Sequence, residues 1–241
     1  MNEAMQRNVY LLGEGNVEKL ANSCVLVFGV GGVGSFAAEA LARCGVGKLI
    51  LVDCDEVVES NLNRQIHATY QTIGMRKTSA MKERILSFNP HCEVIEKDMF
   101  YSKETEGELF SDRIDFVVDA IDTISSKMDL IETCLRRKIP FISSTGMANR
   151  LDPSKLSVKD LMKTDVDPLA KVMRNIVKKR NIKGKIPVVI SSEYPRVQTI
   201  LRNEEGVTRK ERMPLASSSF VPASAGLLCA SVAVRKLCGL K

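Results

Sequence analysis

The sequence contains no tryptophan, only two histidines and little aromatic content overall, 5% of its 241 residues. Its seven cysteines form no CxxC or CxxH pair. A structural zinc site and a disulfide framework are therefore not expected. Aromatic side chains on which a nucleobase could stack are also scarce. Charge, glycine spacing and strand–helix pattern are left as the informative signals.

Neither a targeting segment nor a membrane-spanning segment is expected from the sequence. The amino-terminal stretch MNEAMQRNVYLLGEG lacks the basic-then-apolar layout of a secretory signal. The longest apolar run, Phe220 to Val234, is interrupted by Ser224 and Ser231 and is shorter than the roughly 20 residues that span a bilayer. We expect a buried helix there, no membrane partner, and a cytoplasmic protein.

Charge is unevenly distributed along the chain. Lys and Arg number 35 and Asp and Glu 29, a net +6. Residues 151–241 hold 18 basic and 8 acidic residues, net +10, so residues 1–150 carry net −4. At about 150 residues per domain, the length favours one domain over 1–241, with a core in 1–150 and a basic extension in 151–241.

The first 150 residues alternate apolar strands with helices. Such an alternation predicts an α/β fold: a Rossmann-like, doubly wound, mostly parallel sheet with helices on both faces. The predicted strands are Cys24–Phe28, Lys48–Val52, Glu93–Glu96, Phe116–Val118 and Pro140–Ser143, and the predicted helices are Ser35–Arg43, Lys77–Ser87, Thr105–Phe110 and Ser126–Lys138.

Beyond Gly146 the pattern changes. Asp-Pro pairs break the chain, a basic stretch follows over 171–185, and a strand is predicted at Val188–Ser192. A polar loop around Asn203–Gly206 and the apolar helix complete this region. We expect a C-terminal extension of the sheet and a lid.

The glycines that follow the first strand carry the first chemical signal. Gly29, Gly31 and Gly34 satisfy G-x-G-x-x-G, with Gly32 inside the motif, and they open a predicted helix. Backbone N–H groups at such a helix start bind phosphate. Asp53 ends the next strand, where a carboxylate can accept a ribose hydroxyl. These features alone also fit a nicotinamide dehydrogenase.

Polar residues after Asp53 distinguish a site for a nucleoside triphosphate from that of a nicotinamide dehydrogenase. Hydride transfer needs no cationic cluster, whereas Arg and Lys neutralise charge that develops on triphosphate oxygens. The cluster comprises Asp55, Asn61, Arg64, Gln65 and Lys77. Asp119 and Asp122 end the fourth strand, and Mg²⁺ prefers such carboxylates together with phosphate oxygens. No P-loop motif is present.

The segments GVGGVGSFAAEALARCGVG, DCDEVVESNLNRQ and DAID, in that order, resemble the ATP-binding domain of ubiquitin-activating-type enzymes, the ThiF/MoeB superfamily, over residues 7 to about 146. The resemblance implies adenylation of a carboxylate with MgATP. It also implies a homodimer, in which an arginine of one subunit enters the other's site. The implied roles are ribose binding by Asp53, phosphate contacts by Asn61, Arg64, Gln65 and Lys77, a place beside the nucleotide for Asp119, Mg²⁺ binding by Asp122, and insertion into the partner's site by Arg7, with Arg64, Lys77, Asp122 and Arg7 as the catalytic set.

A narrower resemblance rests on the segments RQIHA, SFNPHC and RKIPFISSTGMANRLDPSKLSVKDLMKTDVDPLAKVMR. Together with the missing CxxC pairs they are similar to tRNA threonylcarbamoyladenosine dehydratases over essentially the whole chain. Members of that family use ATP to cyclise threonylcarbamoyladenosine in tRNA by activating its threonyl carboxylate. Cys134, at helical spacing from Leu130 and Ile131, is expected in the core. Two alternatives stay open: adenylation of the carboxyl end of a ubiquitin-like sulfur-carrier protein, and a nucleotide sensor without turnover.

A tRNA substrate would give the basic extension a use, because cationic side chains neutralise phosphates without reading sequence. The resemblance further implies a monovalent cation near Ser217–Ala223, and the family's alternative name suggests a cysteine desulfurase system as a partner. His67 is expected to be structural, and no transition metal is expected. The predicted tRNA contacts are Lys171, Arg174, Lys178, Lys179, Arg180, Lys183 and Lys185.

Overall fold

One seven-stranded sheet organises the chain, in a computed structural model that describes residues 3–197 and 215–240. The strand order is β3-β2-β1-β4-β5-β7-β6. All neighbouring strands pair in parallel except β6, which is antiparallel to β7. The strands are β1 (Cys24–Phe28), β2 (Lys48–Val52), β3 (Glu93–Lys97), β4 (Phe116–Asp119), β5 (Phe141–Ser144), β6 (Leu156–Asp160) and β7 (Pro187–Ser191).

Helices connect most of these strands. The predicted strands and the predicted helices of the first 150 residues, α3 to α6, are confirmed to within a few residues. Helices α1, α2 and α7 and strand β6 are absent from the sequence prediction. The loop predicted around Asn203–Gly206 lies outside the described residues. The helices are α1 (Gln6–Leu12), α2 (Glu14–Ala21), α3 (Gly34–Arg43), α4 (Lys77–Phe88), α5 (Glu106–Leu109), α6 (Ile124–Arg137), α7 (Pro168–Arg180) and α8 (Phe220–Cys238).

Strand β1 shows how the two faces of the sheet are filled. Successive strand side chains point to opposite faces, so Val25 and Val27 pack with one apolar cluster, while Leu26 and Phe28 pack with another. The first cluster draws on α3, α4 and α8, and the second on α6 and α7. Helices thus cover both faces, which confirms the predicted doubly wound architecture.

Helix α8 packs on α3 at unusually short distance. A Cβ added at Gly226 would lie 2.2 Å from the carbonyl oxygen of Val33, so only glycine allows the two backbones to approach this closely. By length and composition α8 could cross a membrane. Nine of its 19 residues are instead buried inside the fold, as expected for a core helix.

The region after Gly146 extends the sheet. Strand β7 pairs with β5, β6 closes that edge, and α8 contributes to the same core as α3. The predicted sheet extension is therefore confirmed, while the lid stays a prediction. Strand order reverses between β1 and β4, because the chain adds β2 and β3 on one side and β5 on the other. Ligands of open parallel sheets bind at such a switch point, at the carboxyl ends of the strands.

Candidate functional site

A cleft of about 870 Å³ lies at this switch point. Its walls are the segments that follow each of the strands β1 to β5, together with Leu169 on α7 and Leu215, Ser217 and Pro222 from the C-terminal region. Among the predicted nucleotide residues it is lined by Gly29, Gly31, Gly32, Asp53, Asp55, Asn61, Arg64, Gln65, Lys77 and Asp122.

The glycines after β1 serve two different purposes. Gly29 has φ +80°, and a Cβ there would lie 2.7 Å from the carbonyl oxygen of Ala120. A Cβ at Gly34 would lie 1.7 Å from the oxygen of Gly29. Backbone geometry and packing therefore require both. At Gly31 the nearest atom of the described chain, apart from the adjoining residues, is Nε2 of Gln65, 4.0 Å from an added Cβ. An added methyl group would therefore only occupy space in the cleft. That space, at the start of α3, suits a phosphate group.

Asp53 is fixed between the glycine loop and the next turn. Its Oδ2 accepts a hydrogen bond from the N–H of Val30 at 2.7 Å, and its Oδ1 accepts one from the N–H of Asp55 at 2.9 Å. Burial raises the pKa of this carboxyl, and the Lys77 ammonium, 3.9 Å away, partly opposes the rise. The carboxylate is thus preorganised at the edge of the cleft, where a ribose hydroxyl can donate to it.

Lys77 begins α4 with its side chain largely buried beside Asp53. Its ammonium contacts Asp55 Oδ2 at 2.6 Å, and its backbone N–H donates to the oxygen of Asp55 at 3.0 Å. The side chain of Asp55 is 62% exposed. An exposed carboxylate can give way to a phosphate without leaving a buried charge unpaired, so the geometry keeps Lys77 available to an anionic ligand.

A short 3₁₀ helix, Glu59–Asn61, and the turn after it supply the other polar groups. Asn61 is buried, and its Oδ1 accepts from the N–H of Val58 at 3.2 Å. The Arg64 guanidinium donates to the backbone oxygen of Ser60 at 2.7 Å. Oε1 of Gln65 is buried and has no hydrogen-bond partner within residues 3–197 and 215–240. A buried polar atom without a partner is costly, and a ligand in the cleft would satisfy it.

The two acidic residues after β4 are placed differently. Asp122 is exposed in the cleft, and its recorded hydrogen bond, from the hydroxyl of Thr123, is long at 3.4 Å. Asp119 is fully buried and does not line the cleft. Its Oδ2 accepts from Lys127 Nζ at 2.8 Å and from Ser143 Oγ at 2.6 Å. The expectation that Asp119 contacts the nucleotide is therefore corrected: its carboxylate is occupied by a buried lysine.

Arg7 and the basic stretch lie outside this cleft. Arg7 is exposed on α1. Helix α7 begins beside the cleft, which Leu169 lines, and ends near the start of β7, at the opposite edge of the sheet. At 1.5 Å per residue, the last residues of α7 are roughly 15 Å from Leu169. The exposed members of the predicted set are Lys171, Lys178, Lys179, Arg180, Lys183 and Lys185.

Two members of the set are engaged within the fold. Arg174 donates to the hydroxyl of Thr164 at 2.5 Å. Arg180 pairs with Asp129 at 2.5 Å and with Glu132 at 3.0 Å. Three further exposed cations, which the sequence analysis did not include, lie at the same edge because α6 ends there: Arg136, Arg137 and Lys138. Arg136 and Arg137 both pair with Glu106, at 2.6 and 2.9 Å.

Burial shifts the pKa of three other side chains, those of His67, Cys134 and Cys54. Both ring nitrogens of His67 are buried without a partner among the described residues, and burial, with Lys77 and Arg84 adding to it, lowers its pKa to about 4. Cys134 lies in the core, as predicted, and burial raises the pKa of its thiol. Cys54 lines the cleft, and burial together with the carboxylates of Asp55 and Asp53 raises its pKa to about 11.

Comparison with known proteins agrees with this geometry. The model of the ThiF family matches residues 4–240. A tRNA threonylcarbamoyladenosine dehydratase of Bacillus subtilis is 48% identical over 227 residues, covering 92% of this chain and 89% of that protein. The crystal structure of the Escherichia coli enzyme TcdA in complex with ATP superposes with a TM-score of 0.87 at 34% identity, covering 98% of this chain and 94% of that one.

A more distant likeness covers only part of the chain. An adenylyltransferase and sulfurtransferase, MOCS3 of Drosophila yakuba, is 35% identical over 130 residues, which are 54% of this chain and 28% of that protein. Similarity to the dehydratase thus extends through the C-terminal region, whereas similarity to the sulfurtransferase spans about half of the chain.

Proposed function

The chain belongs to the ThiF family, and from that premise we propose that it is an ATP-dependent tRNA threonylcarbamoyladenosine dehydratase. It would act as a single adenylating domain over residues 1–241. The observation that carries the proposal is a cleft lined by the predicted nucleotide residues, in a chain that matches dehydratases over nearly its whole length.

The reaction has two steps. An oxygen of the threonyl carboxylate attacks the α-phosphorus of ATP, and pyrophosphate leaves. A nitrogen within the same modified nucleoside then attacks the activated carbonyl carbon and displaces AMP, which closes the ring. Because this nucleophile is already attached to the substrate, ring closure gains from a high effective molarity and needs no enzyme thiol. Cys54, whose raised pKa keeps it protonated at neutral pH, agrees with that scheme.

The residues of the cleft divide these tasks. Asp53 would hold the ribose and the start of α3 the phosphates. Asn61, Arg64, Gln65 and Lys77 would contact the phosphate chain, where the cations stabilise the charge that develops as pyrophosphate departs. Asp122 fits Mg²⁺, since its carboxylate faces the cleft with little other engagement. The metal would supply further neutralisation of phosphate charge.

A mass-shift assay tests the proposal. Purified protein with Mg-ATP and tRNA bearing threonylcarbamoyladenosine should release pyrophosphate and yield a nucleoside lighter by one water molecule, measured by mass spectrometry of the digested tRNA. Adenylation of a sulfur-carrier protein in place of this mass loss would support the alternative substrate. ATP binding without any product would indicate a sensor.

The tRNA would lie across the basic edge formed by the ends of α6 and α7. Each phosphate that a cation neutralises adds about 0.7–0.9 to the slope of log affinity against log salt concentration. Replacing Lys178, Lys179 and Lys183 by Ala should therefore flatten the measured slope by about 2. Lys19→Ala and Lys236→Ala, exposed cations elsewhere, serve as controls. An unchanged slope would place the tRNA on another surface.

Arg7 would act in the partner subunit of a homodimer, since it lies outside the cleft of its own chain. Mixing inactive Arg7→Ala and Asp53→Ala subunits should then restore part of the activity, and failure to do so would assign Arg7 another role. A cytoplasmic location, a monovalent cation near Ser217–Ala223 and association with a cysteine desulfurase system complete the proposal, and none of them is required for the chemistry.

A further inference from the structure

The wall of the cleft that follows β5 has no predicted role. It comprises Thr145 to Ala148 and lies on the side of the sheet away from β2. The nucleotide residues cluster on the β1 and β2 side. An acceptor carboxylate must reach the α-phosphate from outside the nucleotide, so the β5 side is the place left for the acceptor.

One buried arginine holds this wall. Arg150 is 3% exposed. Its Nη1 donates to the backbone oxygens of Gly146 at 2.5 Å and Ala148 at 3.1 Å. Its Nε donates to the oxygen of Glu193 at 3.1 Å. A guanidinium offers five donors in a rigid fork, and here they fix two wall residues and a separate chain segment together.

The charge of Arg150 is balanced by Asp167 at the start of α7. The contact of Nη2 with Oδ2 is 2.7 Å, and the two side chains are 2% and 1% exposed. Oδ1 of Asp167 accepts from the N–H of Ala170 at 2.7 Å and thereby caps α7. Leu169, in the first turn of that helix, lines the cleft. The ion pair therefore positions two surfaces of the cleft, the wall after β5 and the first turn of α7.

The residue before the arginine extends the arrangement. The N–H of Asn149 donates to the oxygen of Ala216 at 2.8 Å, and its own oxygen accepts from the N–H of Arg196 at 2.8 Å. Ala216 lies between Leu215 and Ser217, both of which line the cleft. Three separate segments are therefore held in register by the turn at 149–150.

We propose that Arg150, oriented by Asp167, is a positioning residue for the tRNA side of the reaction. It shapes the acceptor wall and leaves the nucleotide side unaffected. This inference rests on the proposed dehydratase function. Breaking the fork should weaken the use of tRNA while ATP binding stays intact, because no contact of Arg150 in the described chain reaches the glycine loop, Asp53 or Lys77.

The test compares Arg150→Lys with the intact protein. Lysine keeps the charge opposite Asp167 and loses the fork, so we expect the KM for modified tRNA to rise about tenfold, the value of one charge-assisted hydrogen bond. The Kd for ATP, measured by calorimetry without tRNA, should stay within about twofold. Asp167→Asn retains an oxygen to cap α7, and it should likewise raise the KM for tRNA while the Kd for ATP stays unchanged. This second variant tests the proposal if Arg150→Lys fails to fold.

Arg196→Ala is the matched control, an arginine of the same neighbourhood whose side chain is 66% exposed. Its KM for tRNA should stay within about twofold. An unchanged KM for tRNA in both Arg150→Lys and Asp167→Asn, or an equal loss of ATP affinity, would overturn the inference. Failure of the proposed function is distinct, because it would appear as absent dehydration by the unmodified protein.

Discussion

The carboxylate of Asp119 accepts from the ammonium of Lys127 at 2.8 Å, and the two side chains are 1% and 0% exposed. The pair joins the end of β4 to the first turn of α6. Ser143 on β5 donates to the same carboxylate oxygen, and the other oxygen accepts from the N–H of Ile121 at 3.1 Å. This network fixes the turn from Ala120 to Thr123, which carries Asp122 into the cleft.

Removing the lysine should therefore destabilise the whole fold. Lys127→Met leaves a buried carboxylate without its counter-charge, and breaking such a pair from one side costs about 3–5 kcal/mol. Urea unfolding should show this loss. Lys236→Met, an exposed lysine on α8, should change the free energy of unfolding by no more than about 0.5 kcal/mol. A small effect at Lys127 would mean that water replaces the pair.

Gly31→Ala should separate nucleotide binding from folding. The added methyl group meets no atom of the described chain closer than 4.0 Å, so the melting temperature should hardly change. ATP affinity should fall by about tenfold or more, because the methyl group prevents backbone N–H groups from approaching a phosphate. Gly107→Ala, with open space around it on the short helix α5, should leave ATP affinity unchanged. Intact ATP affinity in Gly31→Ala would place the phosphates elsewhere.

Asp122→Asn should abolish most turnover while the protein remains folded. The carboxylate is exposed and weakly engaged, so its loss costs little stability. Losing one electrostatic group at the reacting phosphate typically lowers kcat by about 100-fold or more. Glu83→Gln, an exposed carboxylate on α4, should retain full activity. Both are measured by pyrophosphate release, and normal turnover in Asp122→Asn would exclude this residue as the metal ligand.

His67 should make stability depend on pH. Its pKa is lowered from 6.5 to about 4 in the folded protein. Below pH 6.5 the unfolded chain therefore binds a proton that the folded chain does not, so stability falls as the pH drops from 6.5 towards 4, by about 3 kcal/mol in total.

Replacement of that histidine provides the check. His67→Leu removes the titrating group along with two unpartnered polar atoms, and its unfolding free energy should vary less between pH 7 and pH 4.5 than that of the intact protein. His91→Gln, at an exposed position, should retain the full dependence. Equal curves for all three proteins would contradict the assignment to His67.

Much of the cleft could be predicted because its residues follow strands directly. Gly31 comes after β1, Asp53 after β2 and Asp122 after β4, and the carboxyl ends of parallel strands meet at one edge. This reasoning could not show which of the two acids after β4, Asp119 or Asp122, faces the cleft. The two acids are three residues apart, and only the packing of α6 shows that a lysine covers the first one.

Sequence patterns could not identify residues that act through contacts with segments far away in the sequence. Arg150 stands alone in a loop, where an arginine is ordinarily solvated, and its contacts with Asp167 and Glu193 depend on how the β7 region folds back. Composition identified the basic stretch, but the direction of α7 was needed to show that much of it lies away from the cleft.

Helix α8 bears on the order in which this protein can be made. It follows every other described element along the chain, yet it packs against α3 directly behind the glycine loop. A growing polypeptide would thus contain all of its predicted nucleotide-binding residues before α8, the helix that supports them, is synthesised. The ATP site would reach its final shape only after residues 220–238 are synthesised, so apolar faces of α3 and the sheet would stay uncovered until then.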